Sequence, residues 1–127
     1  MPVTRIAIRR GKTAEWKQAV LDGIHEAIRE TVHIQDGDRF MALTEHGEGE
    51  FAYGDLLGIE RSGDLVQIQI FWAPKPVEAK LAMYRGIVER LGRNPGVRPE
   101  DVLISVVESP PENWSFGHGE AQFHRPA

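Results

Sequence analysis

Cysteine is absent from this chain. Its absence excludes disulfide bridges, thiolate zinc sites and a cysteine nucleophile. Excess positive charge is absent too. Fifteen Lys and Arg stand against nineteen Asp and Glu, a formal net charge of −4. Binding to nucleic acid or to an anionic membrane needs concentrated positive charge, so neither is expected. No apolar run approaches the roughly 18 residues of a membrane span. The N-terminus lacks the basic-then-apolar layout of a secretory signal, which makes the cytoplasm the expected compartment. The five histidines form no ligand pattern. His118 and His124 are too isolated in the tail to suggest a metal site, and no cofactor is expected.

What is present is a soluble composition, 41% hydrophobic and 27% charged, and a repeat. Val3 to Ile8 reads as a short strand ended by Gly11. A helix follows from an N-cap at Thr13 to about Val32, with Trp16, Val20, Ile24, Ala27 and Ile28 on one face. RFMALTE is a second strand. From residue 65, LVQIQIF alternates as a strand. Pro76 suits a first helical turn. Val77, Leu81, Tyr84, Val88 and Leu91 are expected as the apolar face of a second helix, ended by Gly92. VLISVVE is the last strand.

The halves superpose at an offset of about 63 residues. Lys12 meets Lys75, Lys17 meets Lys80, Gly23 meets Gly86, Asp38 meets Asp101 and Glu45 meets Glu108. The first strands match better at 62, Ile6 to Ile68 and Ile8 to Ile70. The chain therefore reads as an α/β (α+β) fold, a tandem βαβ repeat. It predicts a four-stranded mixed sheet with both helices on one face. We expect a single domain over 1–127: repeat one at about 2–46, a linker at 47–63, repeat two at about 64–109 and a C-terminal arm at 110–127. The strands VLISVVE and FMALTE are apolar at consecutive positions. This predicts a second apolar sheet face, covered by oligomerisation with closed cyclic symmetry.

Several stretches carry a resemblance: Pro2, then GKTAEWK, DGIHEAI, DRF, LGIERSGDLVQIQI and NWSFGHGEAQF, in that order. Together they resemble the tautomerase superfamily, and within it the malonate semialdehyde decarboxylase branch, over nearly the whole chain. The resemblance implies a homotrimer with active sites at subunit borders and an N-terminal proline as catalytic acid or base. It places Asp38 where that branch positions or activates water. The branch also binds the substrate carboxylate with two arginines around a proline. Here that segment is Ala73-Pro74-Lys75, and lysine lacks the bidentate fork of arginine. Lys12 stands where 4-oxalocrotonate tautomerase carries a carboxylate-binding arginine.

Each candidate also has a plainer role. With Met1 removed, Pro2 carries a free secondary amine. Burial and nearby cations such as Lys12 or Lys75 disfavour its charged form, which would leave a base near pH 7. Otherwise it is only the first residue of a strand. Asp38 is either catalytic or a turn former like Asp101. Lys75 and Lys12 oppose a helix dipole, which an anionic ligand would offset. Arg39 adjoins Asp38. Trp114, Phe116 and Phe123 either wall a pocket around Pro2 from a neighbouring subunit or anchor the arm.

These readings give a cofactor-independent tautomerase acting on a small 2-oxo acid or enol carboxylate, with Pro2 as general base. One alternative is hydration or decarboxylation of a 3-oxo acid, with protonated Pro2 and Asp38 activating water. Another is a non-catalytic oligomeric binding module on the same fold.

Overall fold

A computed structural model describes residues 1–126. The last residue of the arm, Ala127, lies outside them. The elements run β1 (Val3–Arg9), α1 (Ala14–Thr31), β2 (Phe40–His46), β3 (Val66–Trp72), α2 (Val77–Arg93) and β4 (Val102–Glu108). The four strands form one sheet in the order β2-β1-β3-β4. Each repeat makes a parallel pair, and β1 and β3 join the repeats antiparallel. Both helices pack on one face of this mixed sheet. No helix among the described residues is long and apolar enough to cross a membrane.

The repeat is a two-fold relation in space. Ile6 lies directly opposite its own counterpart Ile68 across the β1–β3 junction. The ion pairs repeat as well: Lys17 with Glu45 in the first half, Lys80 with Glu108 in the second. Because the axis reverses direction, the sheet has two distinct ends. At the leading end β1 and β2 begin and β3 and β4 finish. At the trailing end the reverse holds.

The helix face of the sheet is made by alternate residues of each strand. Ile6, Ile8, Ile68, Ile70 and Trp72 are essentially fully buried. Each such side chain contributes roughly 1.5–3 kcal/mol relative to exposure. Thr13 Oγ1 accepts from the backbone N of Trp16 at 3.1 Å and starts α1 as expected. Val20, Ile24 and Ile28 form its buried stripe. Gly23 lets the helices approach closely, since a Cβ there would lie 3.0 Å from Leu91 Cδ2.

Three expectations are corrected here. The buried stripe of α2 is Met83, Ile87 and Leu91, while Val77 and Leu81 are exposed. The repeat itself pointed to that stripe, because these residues are the counterparts of Val20, Ile24 and Ile28. Gly92 does not end α2. The helix runs to Arg93, and the turn follows at Gly96, whose φ of 103° only glycine adopts readily. Pro76 is the N-cap, in extended conformation, and not the first helical residue.

The open face of the sheet also differs from expectation. It is not uniformly apolar, because Arg5, Thr44, Gln67 and Gln69 line a groove across its middle. Its large apolar side chains are a row at the leading end, Phe40, Val3, Phe71 and Val107, neighbours in register across all four strands, together with Leu103 beside Gln67; Ala7 and Ala42 also line the groove. The alternation in LVQIQIF already placed both glutamines on this face.

The linker between the halves is tied down at the trailing end. Asp101 is fully buried and accepts from Ser62 N at 2.7 Å and from Ser62 Oγ at 2.5 Å. Arg61 Nη1 donates to the carbonyl of Glu100 at 2.6 Å, and Tyr53 Oη to that of Ser62 at 2.7 Å.

Candidate active site

Pro2 is buried at the start of β1. Strand backbone is stiff, so the chain's first residues enter the leading end in a fixed direction. The ammonium of Met1 forms an ion pair with Asp38 Oδ2. Both side chains are mostly shielded, at 13% and 15% exposure. Asp38 is delivered by the turn between α1 and β2. There Gly37 adopts φ 82°, and Asp38 N donates to the Gln35 carbonyl at 3.1 Å.

The arm's aromatic residues pack at this end of their own chain, where the alternative expected from sequence put them against a neighbouring subunit. The arm leaves β4 at one edge of the sheet and reaches Phe40 at the opposite edge, across the leading end. The rings of Phe40 and Phe116 are 5.8 Å apart. Trp114 stacks on Phe116 at 5.7 Å and 8°, and Phe123 meets Phe116 edge-on at 5.6 Å and 89°. Gln122 closes this turn by accepting from Phe116 N at 3.0 Å and donating to the Gly117 carbonyl at 2.9 Å. Gln35, Asp38, Phe40, Phe116, Gln122 and Phe123 line a pocket of about 270 Å³. The volume suits a small acid. Its apolar walls strengthen any charge interaction within.

Two buried polar atoms here have no partner among the described residues, Asp38 Oδ1 and Trp114 Nε1. An unsatisfied buried polar group typically costs about 1–3 kcal/mol. A bound polar molecule would recover that by donating to the first or accepting from the second.

The lysines separate. Lys75 follows β3 at the leading end, the end at which β1 begins. Its backbone N donates to Glu108 Oε2 at 2.8 Å. No carboxylate among the described residues lies within ion-pair distance of its ammonium. Beside it, the first turn of α2 has no side-chain cap, because Pro76 offers no acceptor. Lys12 sits at the trailing end, paired with Asp64 and 5.0 Å from the Trp16 ring centroid. Within one chain it is the full length of β1 from Pro2, so it does not act on that nitrogen. Arg39 turns away from Asp38 to Asp22, at 2.6 Å, and holds the Asp22 carboxyl below its ordinary range.

Of the residues singled out from sequence, Asp38, Phe116 and Phe123 line the pocket and Trp114 stacks behind Phe116; Pro2 and Lys75 lie at the same end of the sheet without lining it, and Lys12 and Arg39 do not join them. Phe40 and Gln122 were missed. Phe40 was read only as part of the strand RFMALTE, and it faces the open side. Its neighbour Met41 carries the core contact, and that parity was the available signal. His118 adopts φ 60° in the turn of the arm. No cluster of three or more metal-ligating side chains occurs among the described residues.

Two family profiles, both described as tautomerase enzyme, match residues 38–117 and 2–58. The probable tautomerase YusQ of Bacillus subtilis is 34% identical over 124 residues, covering 96% of this chain and 98% of the relative. Malonate semialdehyde decarboxylase, whose crystal structures are described as a basis for its decarboxylase and hydratase activities, superposes with a TM-score of 0.91. It is 30% identical, and the match covers 95% of each chain. A fused 4-oxalocrotonate tautomerase, solved as a symmetric trimer, shares the fold at a TM-score of 0.77 and 17% identity, over 93% of this chain and 94% of that one.

Proposed function

The chain belongs to the tautomerase family, and we propose that it moves a proton between the enol oxygen and the adjacent carbon of a small 2-oxo acid. The enzyme type follows from the family; the substrate class and the proton carriers are our reading. The carrying observation is the placement of Asp38 against the chain's terminal ammonium, at an aromatic pocket. Removal of Met1 transfers the terminal amine to Pro2. The Asp38 carboxylate, which pairs one residue ahead, is the partner we assign to it. Lys12, expected to act on the same nitrogen, lies at the other end of the sheet.

The pair then divides the work. For ketonisation, the Pro2 ammonium delivers its proton to the substrate carbon while the Asp38 carboxylate takes the enol O–H proton. Return of that proton from Asp38 to Pro2 resets the site. In the enolising direction the neutral Pro2 amine is the base, as microscopic reversibility requires. Lys75 holds the substrate carboxylate as a point charge. The aromatic walls keep water out. No added cofactor is needed for these steps.

A second reading is favoured by the same ion pair and by the activities described for malonate semialdehyde decarboxylase. With a 3-oxo acid, Asp38 draws a proton from water and Pro2 polarises the carbonyl. Alternatively, the bond to the carboxylate breaks, CO₂ leaves, and Pro2 protonates the resulting enolate. The assembly we propose is a cytoplasmic homotrimer. The free outer edges of β2 and β4, the open sheet face and the trimeric tautomerase of the same fold support it.

The test is a panel of enol acids and 3-oxo acids followed by ultraviolet absorbance and NMR, on protein whose intact mass shows Met1 removed. Turnover of enol acids supports the first reading. Turnover confined to 3-oxo acids supports the second. Inactivity on both, with Met1 gone, sinks the catalytic assignment of Pro2.

A further inference from the structure

The repeat extends past the last strand of each half. Phe51 and Tyr53 in the linker stand 63 residues before Trp114 and Phe116 in the arm. In each segment the two rings pack together, with centroids 5.2 Å apart in the linker and 5.7 Å apart in the arm. The linker pair lies at the trailing end, where Phe51 meets His46, the last residue of β2. The arm pair lies at the leading end, where Phe116 meets Phe40.

The two pairs are fastened differently. Tyr53 fastens itself, because its Oη donates to the Ser62 carbonyl at 2.7 Å. Phe116 has no hydroxyl. The chain reverses just after it, through Gly117, His118 and Gly119 at φ 146°, 60° and 72°. Backbone bonds in this turn are local: Glu120 N donates to the Gly117 carbonyl at 3.3 Å and His124 N to the Ala121 carbonyl at 3.1 Å. Among the described residues, no backbone ladder joins the two sides of the reversal. The Gln122 side chain stands in for one. A carboxamide presents the same C=O and N–H as a peptide. Its Oε1 accepts from Phe116 N at 3.0 Å and its Nε2 donates to the Gly117 carbonyl at 2.9 Å. Phe123, the next residue, meets Phe116 edge-on at 5.6 Å. Gln122 and both phenylalanines line the 270 Å³ pocket.

We propose that Gln122 is a positioning residue: its carboxamide latches the turn of the arm and thereby sets Phe123 against Phe116 as walls of the pocket. It acts through those rings and not on the substrate. A misplacement of about 1 Å away from the reacting groups can cost about 10²-fold in rate. These two hydrogen bonds are exposed, so their loss should cost less, about tenfold. The kinetic consequence rests on the function proposed above; the latch itself does not.

The experiment compares three full-length proteins, the parent, Gln122→Leu and Gln122→Glu. Leucine removes both hydrogen bonds. Amide hydrogen exchange at Phe116, followed by NMR, should be about tenfold faster in Gln122→Leu, with the thermal midpoint little changed. On enol acids kcat should fall about tenfold while KM stays within about threefold, because the group that holds the carboxylate is untouched. Gln122→Glu adds a pH readout. A protonated carboxyl presents C=O and O–H where the amide presents C=O and N–H, and restores both bonds. The ionised form sets an oxygen against the Gly117 carbonyl. Turnover by Gln122→Glu, relative to the parent at the same pH, should therefore climb toward unity as pH falls through the titration of that carboxyl. This titration lies at or above about 4.3, the ordinary glutamate value, because Asp36 and Asp38 line the same pocket. Those aspartates, with His118, Glu120 and His124 of the turn, are common to all three proteins, so their own titration cancels in the ratio.

Unchanged exchange at Phe116 in Gln122→Leu overturns the latch. Faster exchange with unchanged kcat overturns its effect on the pocket. A Gln122→Glu ratio that does not move with pH shows that the position acts by bulk alone, and overturns the proposal as well. If the parent turns over neither class of acid, the function proposed above fails separately, and exchange at Phe116 still decides the latch.

Discussion

The Asp38 carboxylate pairs with the terminal ammonium of Met1, one residue ahead of Pro2. Its counterpart in the second repeat, Asp101, instead clasps the Ser62 backbone and hydroxyl and is fully buried. Equivalent aspartates have thus taken different partners. Asp101 secures the linker, and Asp38 is left with one oxygen free of any partner among the described residues.

Asp38→Asn keeps the shape and removes the base. Drawing a proton from water requires that base, so hydration of a 3-oxo acid should fall by about 10²–10⁴-fold. An enol hydroxyl can also release its proton to solvent, so ketonisation should fall less, by about tenfold. Parallel rate measurements on the two substrate classes, with the thermal midpoint as control, check this. Equal losses accompanied by a lower midpoint would show Asp38 to be a structural residue like Asp101.

Lys75→Ala should raise KM for a carboxylate substrate by about 10–100-fold, the usual worth of a hydrogen bond to a charged group. kcat should change less, because the carboxylate is held in both ground and transition states. Lys12→Ala should change KM by no more than about twofold, since it removes an exposed pair with Asp64 at the far end of β1. Steady-state kinetics on both variants decide it. A larger effect from Lys12 would mean that a neighbouring copy brings it to the site.

The sequence made the repeat, the order of elements and the α1 stripe legible, because each depends on local periodicity. It treated Lys12 and Lys75 as equivalent, and here the inference from repeat to site broke down. The halves are related by a two-fold axis between Ile6 and Ile68, so equivalent residues are sent to opposite ends of the sheet. Asp38 and Asp101 diverge for a related reason. Their partners, the chain's first residue and Ser62 of the linker, lie outside the repeat. The α2 face was misread because Val77 and Leu81 fall at helical spacing while serving an outer surface. Periodicity shows that a stripe is apolar, not what covers it.

Acid should weaken the fold through the repeated ion pairs. The Lys17 hydrogen bond lowers the Glu45 pKa from its ordinary 4.5. Glu108 is lowered from the same value, chiefly by the Lys75 backbone N–H and then by Lys80. A carboxyl whose folded pKa lies below its unfolded pKa contributes stability above the unfolded value and loses it as pH falls through the folded one. Thermal midpoints of the parent and of Glu45→Gln should therefore differ near neutrality and converge well below pH 4.5. A gap that stays constant with pH would show that the substitution acts through packing and not through the charge.

The role of Pro2 can be separated from that of the strand it begins. A proline nitrogen at the terminus is a basic secondary amine on a ring that removes one backbone rotation. The strand then aims it, which lowers the cost of reaching a productive geometry. Retaining Met1, or adding one residue before Pro2, turns that nitrogen into a non-basic amide. The buried ring at position 2 is unchanged, as is every core contact. Turnover of enol acids should fall by about 10²–10⁴-fold, the usual share of general acid–base catalysis. The mass of the assembly in solution and the thermal midpoint should hold. Pro2→Ala with Met1 removed keeps an amine, but a primary and less constrained one, and should fall between the two. Stopped-flow ultraviolet assays on the three proteins read the order directly. If the extended chain is as fast as the parent, the proton is carried by another group, and Pro2 serves the strand alone.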